Sequence, residues 1–214
     1  MGEIVLVRHG QANSDATDDA SYDRLSALGH QQAAHLGAWL RAFEPGFDRV
    51  ISGTLQRHRE TAAGMGFDQV PADPRLNEMD YFTLGRALEE QHGVPMPGPE
   101  NFAEHSVRVL EAWHAAEIRG NESFDAFEDR VNAVVAEAAA PGVRVLCVTS
   151  GGVIGMVLRS LLSLDPRRTA QIMLPIWNTS LHRLRVTPQG AILASFNAVP
   201  HLDKPETAAA RTTY

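Results

Sequence analysis

The sequence predicts an α/β fold of three layers, α/β/α, in which a mostly parallel central sheet carries a helical cap insertion. The first residues alternate between strand-type and helix-type segments, which is typical of a parallel sheet. The most apolar run, residues 143–149, is typical of a buried strand, and a helical pattern follows it directly. At 214 residues with 44% hydrophobic content, the chain is long enough for one domain with a sizeable core.

The strands are predicted from short apolar runs bounded by turn residues. They span residues 4–7, 47–52, 143–149, 180–186 and 191–196. The first run ends abruptly at Arg8, and a polar stretch over residues 11–24 predicts a loop after it. A turn at residues 188–190 joins the last two runs into a hairpin.

The helices are predicted where apolar residues recur at helical spacing. Ser26 and Ser123 are candidate N-caps, and the Asp165–Pro166 pair is expected to break the helix before it. The predicted helices lie at about residues 27–44, 55–64, 83–91, 102–120, 124–138 and 153–162.

The chain is expected to form a single domain over residues 1–202, with the cap at about residues 81–139. The tail, residues 203–214, is rich in Ala, Thr and Pro and is expected to be mobile unless it docks.

Composition narrows the function classes. The net charge of −7 argues against a nucleic-acid or an acidic-membrane partner, so any anion site must be a local concentration of Arg and His. The single cysteine, Cys147, excludes an intrachain disulfide and is expected to be a buried structural thiol. No signal peptide or membrane-spanning run is visible, so a cytoplasmic location is expected. The oligomeric state stays open, and a homodimer is compatible with the sequence.

Three segments place polar side chains where predicted strands end. They are residues 8–10, 52–62 and 150–152. In an open α/β sheet the carboxyl ends of parallel strands meet at one crevice, so we expect these segments to converge. Gly10 would let the backbone turn sharply and approach a ligand closely.

The residue types in these segments suit an anion. Arg8 and Arg57 offer planar guanidinium forks for oxyanions, and His9 offers a nitrogen that is neutral near pH 7. Ser150 is a candidate N-cap, after which Gly151 and its neighbour would present amides that are free to face an anion. Together these residues predict a pocket for a dianion such as phosphate.

The ordered motifs resemble those of the histidine phosphatase superfamily, which contains cofactor-dependent phosphoglycerate mutases and many phosphatases. The resemblance spans most of the chain. The motifs are Arg8-His9-Gly10, the Leu-Ser-x-x-Gly-x-x-Gln-Ala segment from Leu25 to Ala33, the Ser-x-x-x-x-Arg-x-x-x-Thr-Ala segment from Ser52 to Ala62, Leu76-Asn77-Glu78 and Gly151-Gly152.

The resemblance implies a histidine acid-type phosphatase or a phosphoglycerate mutase-like enzyme that acts on a small phosphorylated substrate. It implies that His9 attacks phosphorus and becomes a phosphohistidine while Arg8 and Arg57 clamp the transferring oxygens. The chemistry implied needs no metal or other cofactor. Fixed cations suit this reaction because they stabilise the transferring charge without competing as nucleophiles.

The resemblance also implies that Glu78 protonates the leaving alcohol and later activates water. A general acid must keep a proton near neutral pH, and the apolar neighbours of Glu78 favour that. Asp80 and Glu60 are weaker candidates for the same role. The sequence contains no His-x-x-x-His pair with acidic partners, so it predicts no metal site. His105 and His114 are expected to be solvated.

The sequence departs from the family where a second histidine is usual before the Gly-Gly turn, because Ser150 stands there. Serine brings no positive charge, and losing a charge-assisted donor costs about 1.5–3 kcal/mol. His58, His182 and His201 are the candidates for supplying the missing donor, and His58 is favoured because it adjoins Arg57. The departure also leaves open a protein that only binds a phosphorylated ligand.

A phosphoglycerate mutase is the remaining alternative. The segment after Glu78 is poor in the basic residues that a second phosphate needs, since Arg86 is the only cation between Glu78 and Pro99. The sequence therefore favours a phosphatase of small phosphomonoesters.

Overall fold

The computed structural model describes residues 2–13 and 19–213. Its strands are β1 (Gly2–Arg8), β2 (Arg49–Ser52), β3 (Arg144–Thr149), β4 (Leu181–Thr187) and β5 (Gly190–Ala198). They form a sheet in the order β2-β3-β1-β4-β5. The pairs β1–β3 and β2–β3 are parallel, whereas β4 runs antiparallel to both β1 and β5.

The helices lie between and after these strands. They are α1 (Asp19–Tyr22), α2 (Ala27–Phe43), α3 (Gln56–Gly64), α4 (Tyr81–His92), α5 (Phe102–His114), α6 (Phe124–Ala138), α7 (Gly151–Leu162), α8 (Pro166–Met173) and α9 (Pro205–Ala208). Short 3-10 turns occur at Pro74–Leu76, Pro99–Asn101 and Pro200–Leu202. None of the helices among the described residues is both long and apolar enough to span a bilayer.

The sheet has a hydrophobic core on each face, because successive residues of a strand point to opposite sides. Ile4 and Leu6 of β1 belong to the larger core, which includes apolar residues of α5, α6 and α7. Val5 and Val7 face the other core, where Leu36 of α2 packs. Helices therefore cover both faces, and the predicted three-layer α/β fold is confirmed; the sheet is mixed, because two of the four strand pairs among the described residues are parallel and the two that involve β4 are antiparallel.

The predicted helix starts at Ser26 and Ser123 are confirmed. The Ser26 side chain accepts a hydrogen bond from the Gly29 amide, and Ser123 accepts one from the Ala126 amide. The segment at residues 81–139, predicted as a cap, contains α4, α5 and α6. Within it α5 packs against α8, and α6 packs against α7.

One local prediction was wrong and one helix was not predicted. The helix before the Asp165–Pro166 pair ends at Leu162, as predicted, but the pair also starts α8, because the Asp165 side chain accepts from the Arg168 amide and Pro166 occupies the first turn. The stretch at residues 11–24, predicted as a loop, contains the single turn of α1, while residues 14–18 lie outside the described residues.

Part of the C-terminal tail contacts the body of the domain. The Gln32 amide group donates to the carbonyl of Ala210 at 2.7 Å and to the Thr212 hydroxyl at 2.9 Å. The Thr212 hydroxyl in turn donates to the Asn178 side chain at 2.8 Å. These residues of the tail are therefore docked against the rest of the domain.

Candidate active site

The carboxyl ends of β1, β2 and β3 lie side by side. Arg8, the last residue of β1, is in register with Thr149, the last residue of β3, and Ser52 of β2 is in register with Val148. The chain leaves β2 into α3 and leaves β3 through Ser150 into α7. The three segments predicted to converge therefore start at one edge of the sheet.

His9 is buried at this edge, with 2% of its surface exposed. Its Nδ1 lies 2.7 Å from the carbonyl oxygen of Gly10. Since a carbonyl can only accept a hydrogen bond, we assign the imidazole proton to Nδ1. Nε2 then carries a free lone pair, which is the form of the ring that can attack an electrophile.

The backbone at Gly10 is packed too tightly for a side chain. A Cβ at this position would lie 2.5 Å from the Gly29 carbonyl oxygen. The Gly10 amide donates to the Thr61 hydroxyl of α3 at 3.0 Å. Gly10 therefore fixes the ring of His9 through its carbonyl and ties the turn to α3 through its amide.

The electrostatic surroundings keep the His9 imidazole neutral. Burial lowers its pKa well below the ordinary value of 6.5, and the positive charges of Arg57 and Arg8 and the neighbouring His58 lower it further. The hydrogen bond to Gly10 acts in the opposite direction without reversing the shift. A neutral ring beside two guanidinium groups is suited to accept an electrophile that carries negative charge.

Both guanidinium groups are buried, with 8% of Arg8 and 4% of Arg57 exposed. The Arg8 Nη1 donates to the carbonyl of Ile176, and burial lowers the pKa of Arg8. Neither Nε has a hydrogen-bond partner among the residues that the structure describes. Buried N–H groups of this kind are expected to bond to a ligand oxyanion.

Asp23 contacts Arg57 although it lies outside the segment from Ser52 to Ala62. Its Oδ1 lies 3.0 Å from the Arg57 Nη1, and its carboxylate also accepts from the backbone amides of Gln56 and Arg57 at 2.9 and 3.2 Å. The Arg57 guanidinium lies over the Tyr22 ring at 5.0 Å. Sequence reasoning missed Asp23 and Tyr22 because both lie in a polar stretch with no spacing that links them to α3.

Glu78 lies at the amino end of α7. Its Oε2 accepts from the Gly152 amide at 3.1 Å, and its Oε1 accepts from the Met79 amide at 3.0 Å. A Cβ at Gly152 would lie 2.0 Å from Oε1, so glycine makes room for the carboxylate. The prediction that the glycine amides would be free to face an anion was wrong for Gly152. Gly151 instead lies against Arg8, since a Cβ there would be 3.8 Å from its Nε.

Ser150 contacts one of the histidines considered in its place. Ser150 is the N-cap of α7 by its backbone, but its side chain makes no capping bond. Its hydroxyl lies 2.6 Å from the Nε2 of His58, whose ring centroid is 5.7 Å from that of His9. His58 is therefore part of the site, beside both His9 and Ser150.

His182 and His201 bond to other residues near the site. His182 bonds to the Ser180 hydroxyl at 2.9 Å, and His201 bonds to the Thr179 hydroxyl at 2.8 Å. Burial lowers the pKa of each to about 3. His201 lies near the site, because Thr179, whose hydroxyl it contacts, donates its amide hydrogen to the carbonyl of Arg8.

The predictions for one further histidine, His105, and for the single cysteine, Cys147, had different outcomes. His105 is buried, with 4% exposed, and its Nδ1 contacts the Tyr81 hydroxyl at 2.8 Å, so the prediction that it is solvated was wrong. Cys147 is buried and free, and burial raises its pKa to about 12, as a structural thiol requires.

Comparisons with known proteins show what the chain is similar to. The family model of the histidine phosphatase superfamily, branch 1, matches residues 4–199. The probable phosphoglycerate mutase GpmB of Yersinia enterocolitica is 29% identical over an alignment of 219 residues, covering 96% of this chain and 97% of the relative. A broad-specificity phosphatase of Saccharomyces cerevisiae is 28% identical over 171 residues, covering 73% of this chain and 68% of the relative.

Solved structures share the fold. A mutant phosphoserine phosphatase of Entamoeba histolytica, crystallised in complex with phosphoserine, is similar with a TM-score of 0.69 at 18% identity. The match covers 94% of this chain and 100% of that chain. YhfR of Bacillus stearothermophilus has a TM-score of 0.68 at 20% identity, covering 94% of this chain and 99% of that chain.

Proposed function

Because this chain belongs to branch 1 of the histidine phosphatase superfamily, we propose that it hydrolyses phosphomonoesters of small molecules through a phosphohistidine on His9. The observation that carries the proposal is the state of the His9 ring. The ring is buried and neutral, and its one proton is on Nδ1, which donates to the carbonyl of Gly10. The charges of Arg8 and Arg57 lower its pKa. That combination suits an imidazole that attacks phosphorus with Nε2.

In the first half-reaction, His9 Nε2 forms a bond to phosphorus as the bond from phosphorus to the alcohol oxygen breaks. Arg8 and Arg57, whose Nε groups are buried without partners among the described residues, donate to the oxygens of the transferring group. Glu78 gives its proton to the departing alcohol. Its position on the Gly152 amide holds the carboxyl group at the same edge of the sheet.

In the second half-reaction, water attacks phosphorus and the P–N bond breaks. Glu78, now ionised, takes the proton from water as its oxygen bonds to phosphorus, and the His9 lone pair is restored. The site then holds inorganic phosphate, a protonated Glu78 and a neutral His9, which is the starting arrangement of the side chains.

A phosphatase assay with p-nitrophenyl phosphate and a set of small phosphomonoesters tests this proposal. The wild type should release phosphate, and His9→Ala should abolish turnover because no other group at this position can accept the phosphoryl group. His92→Ala is the matched control, since His92 lies at the solvent-facing end of α4 with 36% of its side chain exposed. Equal turnover by the wild type and His9→Ala would remove His9 from the mechanism and contradict the proposal, and no turnover by the wild type on any of these substrates would leave only a phosphate-binding role.

A phosphoglycerate mutase is a second candidate, favoured by the similarity to the probable phosphoglycerate mutase of Yersinia enterocolitica. Arg86, the one cation between Glu78 and Pro99, is exposed on α4 and bonds to Thr83. Interconversion of 3- and 2-phosphoglycerate, primed with a bisphosphoglycerate, separates the candidates. We expect hydrolysis to exceed interconversion, and the reverse result would favour the mutase.

A further inference from the structure

His58 and Ser150 form a hydrogen-bonded pair beside His9. Both side chains are fully buried, and the His58 Nε2 lies 2.6 Å from the Ser150 hydroxyl oxygen. The ring of His58 is tilted by 37° to that of His9, with 5.7 Å between centroids. The mechanism above gives this pair no role, although a buried polar pair in a reaction site is costly unless it is fully bonded.

The packing around His58 decides which of its nitrogens carries the proton. Its Nδ1 has no hydrogen-bond partner among the described residues, and a Cβ at Gly53 would lie 2.1 Å from it. A hydrogen on Nδ1 would therefore point at the Gly53 backbone and remain unpaired. Burial and the charge of Arg57 lower the pKa of His58 well below its ordinary value, so the ring has one proton. That proton belongs on Nε2, which donates it to Ser150.

This assignment leaves the Ser150 hydroxyl hydrogen available. The Ser150 oxygen accepts from His58, and its side chain makes no capping bond to α7. Residue 150 immediately precedes Gly151, which lies against the Arg8 guanidinium. The free hydrogen is thus at the same edge of the sheet as the Arg8 guanidinium.

We propose that Ser150 is a further catalytic residue, whose hydroxyl donates to a nonbridging oxygen of the phosphoryl group, and that His58 is the positioning residue that orients it. The inference rests on the proposed function. As negative charge grows on the phosphoryl oxygen, the Ser150 O–H becomes more polarised and accepts more strongly from His58. The pair therefore supplies a neutral donor in the position where the family usually has a second histidine.

Kinetics of Ser150→Ala, His58→Ala and the double variant test the pair. We expect each single variant to lower kcat/KM about 10- to 100-fold, mainly through kcat, because the donor is most needed in the transition state. The double variant should be no slower than the slower single variant, because either change alone removes the oriented hydroxyl. His58→Gln, which retains an N–H near the Nε2 position, should recover most of the activity.

Ser106→Ala is the matched control, because Ser106 is a buried hydroxyl of α5 that lies outside the three segments at the site and donates to the Phe102 carbonyl at 2.8 Å. It should keep wild-type kinetics, and thermal unfolding should show that all variants are folded. Additive losses, or a Ser150→Ala variant with wild-type kcat, would overturn the pair. If the wild type itself forms no phosphohistidine, the proposed function fails; if it does while Ser150→Ala matches it, only this inference fails.

Discussion

At the scale of single residues, the ionisation of His9 is the property on which the chemistry depends. Burial and the charges of Arg57 and Arg8 hold its pKa well below 6.5. We therefore expect the His9 ring signal in an NMR titration of the free protein to stay in its neutral form from about pH 7.5 to 5.5. Protonation of His9 at about pH 6.5 would contradict the electrostatic account.

The role proposed for Glu78 depends on the leaving group. Glu78→Gln cannot supply a proton, so kcat/KM, which reports the steps up to departure of the alcohol, should fall about 100-fold or more for alkyl phosphates, whose alkoxides leave poorly. The loss should be much smaller for p-nitrophenyl phosphate, whose leaving group needs little protonation. Steady-state rates on both substrates provide the measurement, and equal losses on the two would remove Glu78 as the general acid.

The residues that sequence reasoning placed in the site are those that directly follow strands. Arg8 and His9 are predictable because an apolar strand that stops at such residues opens into a crevice. The spacing of the motifs did not predict that His58 contacts Ser150. Adjacent residues on a helix point about 100° apart, so the position of His58 next to Arg57 did not determine where its side chain points. The bond between them depends on how α3 is placed against the start of α7, and only the folded chain provides that.

At the scale of elements, the amino end of α3 is held by Asp23, a residue from a distant segment. Asp23→Ala removes an acceptor for the Gln56 and Arg57 amides and for the Arg57 guanidinium. We expect the free energy of unfolding to fall by about 1 kcal/mol and the affinity for inorganic phosphate to fall with it, because Arg57 loses its orientation. Thermal unfolding and phosphate inhibition measure the two effects.

Asp23→Asn serves as the matched control for this helix end. Asparagine can still accept from the helix amides, so it should keep the stability while weakening the ion pair with Arg57. Wild-type phosphate inhibition in Asp23→Ala would show that Asp23 has no part in positioning Arg57. The sequence could not predict this contact, because helix caps are recognised from residues next to the helix. Asp23 is separated from Gln56 by both α2 and β2.

At the scale of the whole molecule, several histidines are buried in their neutral form. Burial lowers the pKa of His182 and of His201 to about 3. In the unfolded chain these rings bind protons below about pH 6.5, so the unfolded state takes up more protons than the folded state as the pH falls. The stability is fully present above that pH and decreases down to about pH 3.

Denaturant unfolding between about pH 6.5 and 5 tests this effect before most carboxylates titrate. Each buried neutral histidine should lower the free energy of unfolding by up to about 1.4 kcal/mol per pH unit in that range. A free energy of unfolding that does not change over the range would contradict the burial of these rings in neutral form.

The overall architecture was predictable because alternation of strands and helices in a chain of this size allows few arrangements. The alternation of Ile4 and Leu6 with Val5 and Val7 matches a sheet covered on both faces, whereas the strand order β2-β3-β1-β4-β5 was not predicted. The docking of the tail through Thr212 could not be predicted from the sequence. The composition of the tail indicates only that it has few apolar residues, not which polar groups it contacts.

Trapping of the intermediate tests the central claim most directly. The protein is mixed with a phosphomonoester that carries a radiolabelled phosphoryl group, quenched in alkali within milliseconds and digested. We predict label on the peptide that contains His9, released as phosphate over the course of turnover and absent from His9→Ala. Turnover by the wild type with no label on that peptide at any quench time would contradict the account.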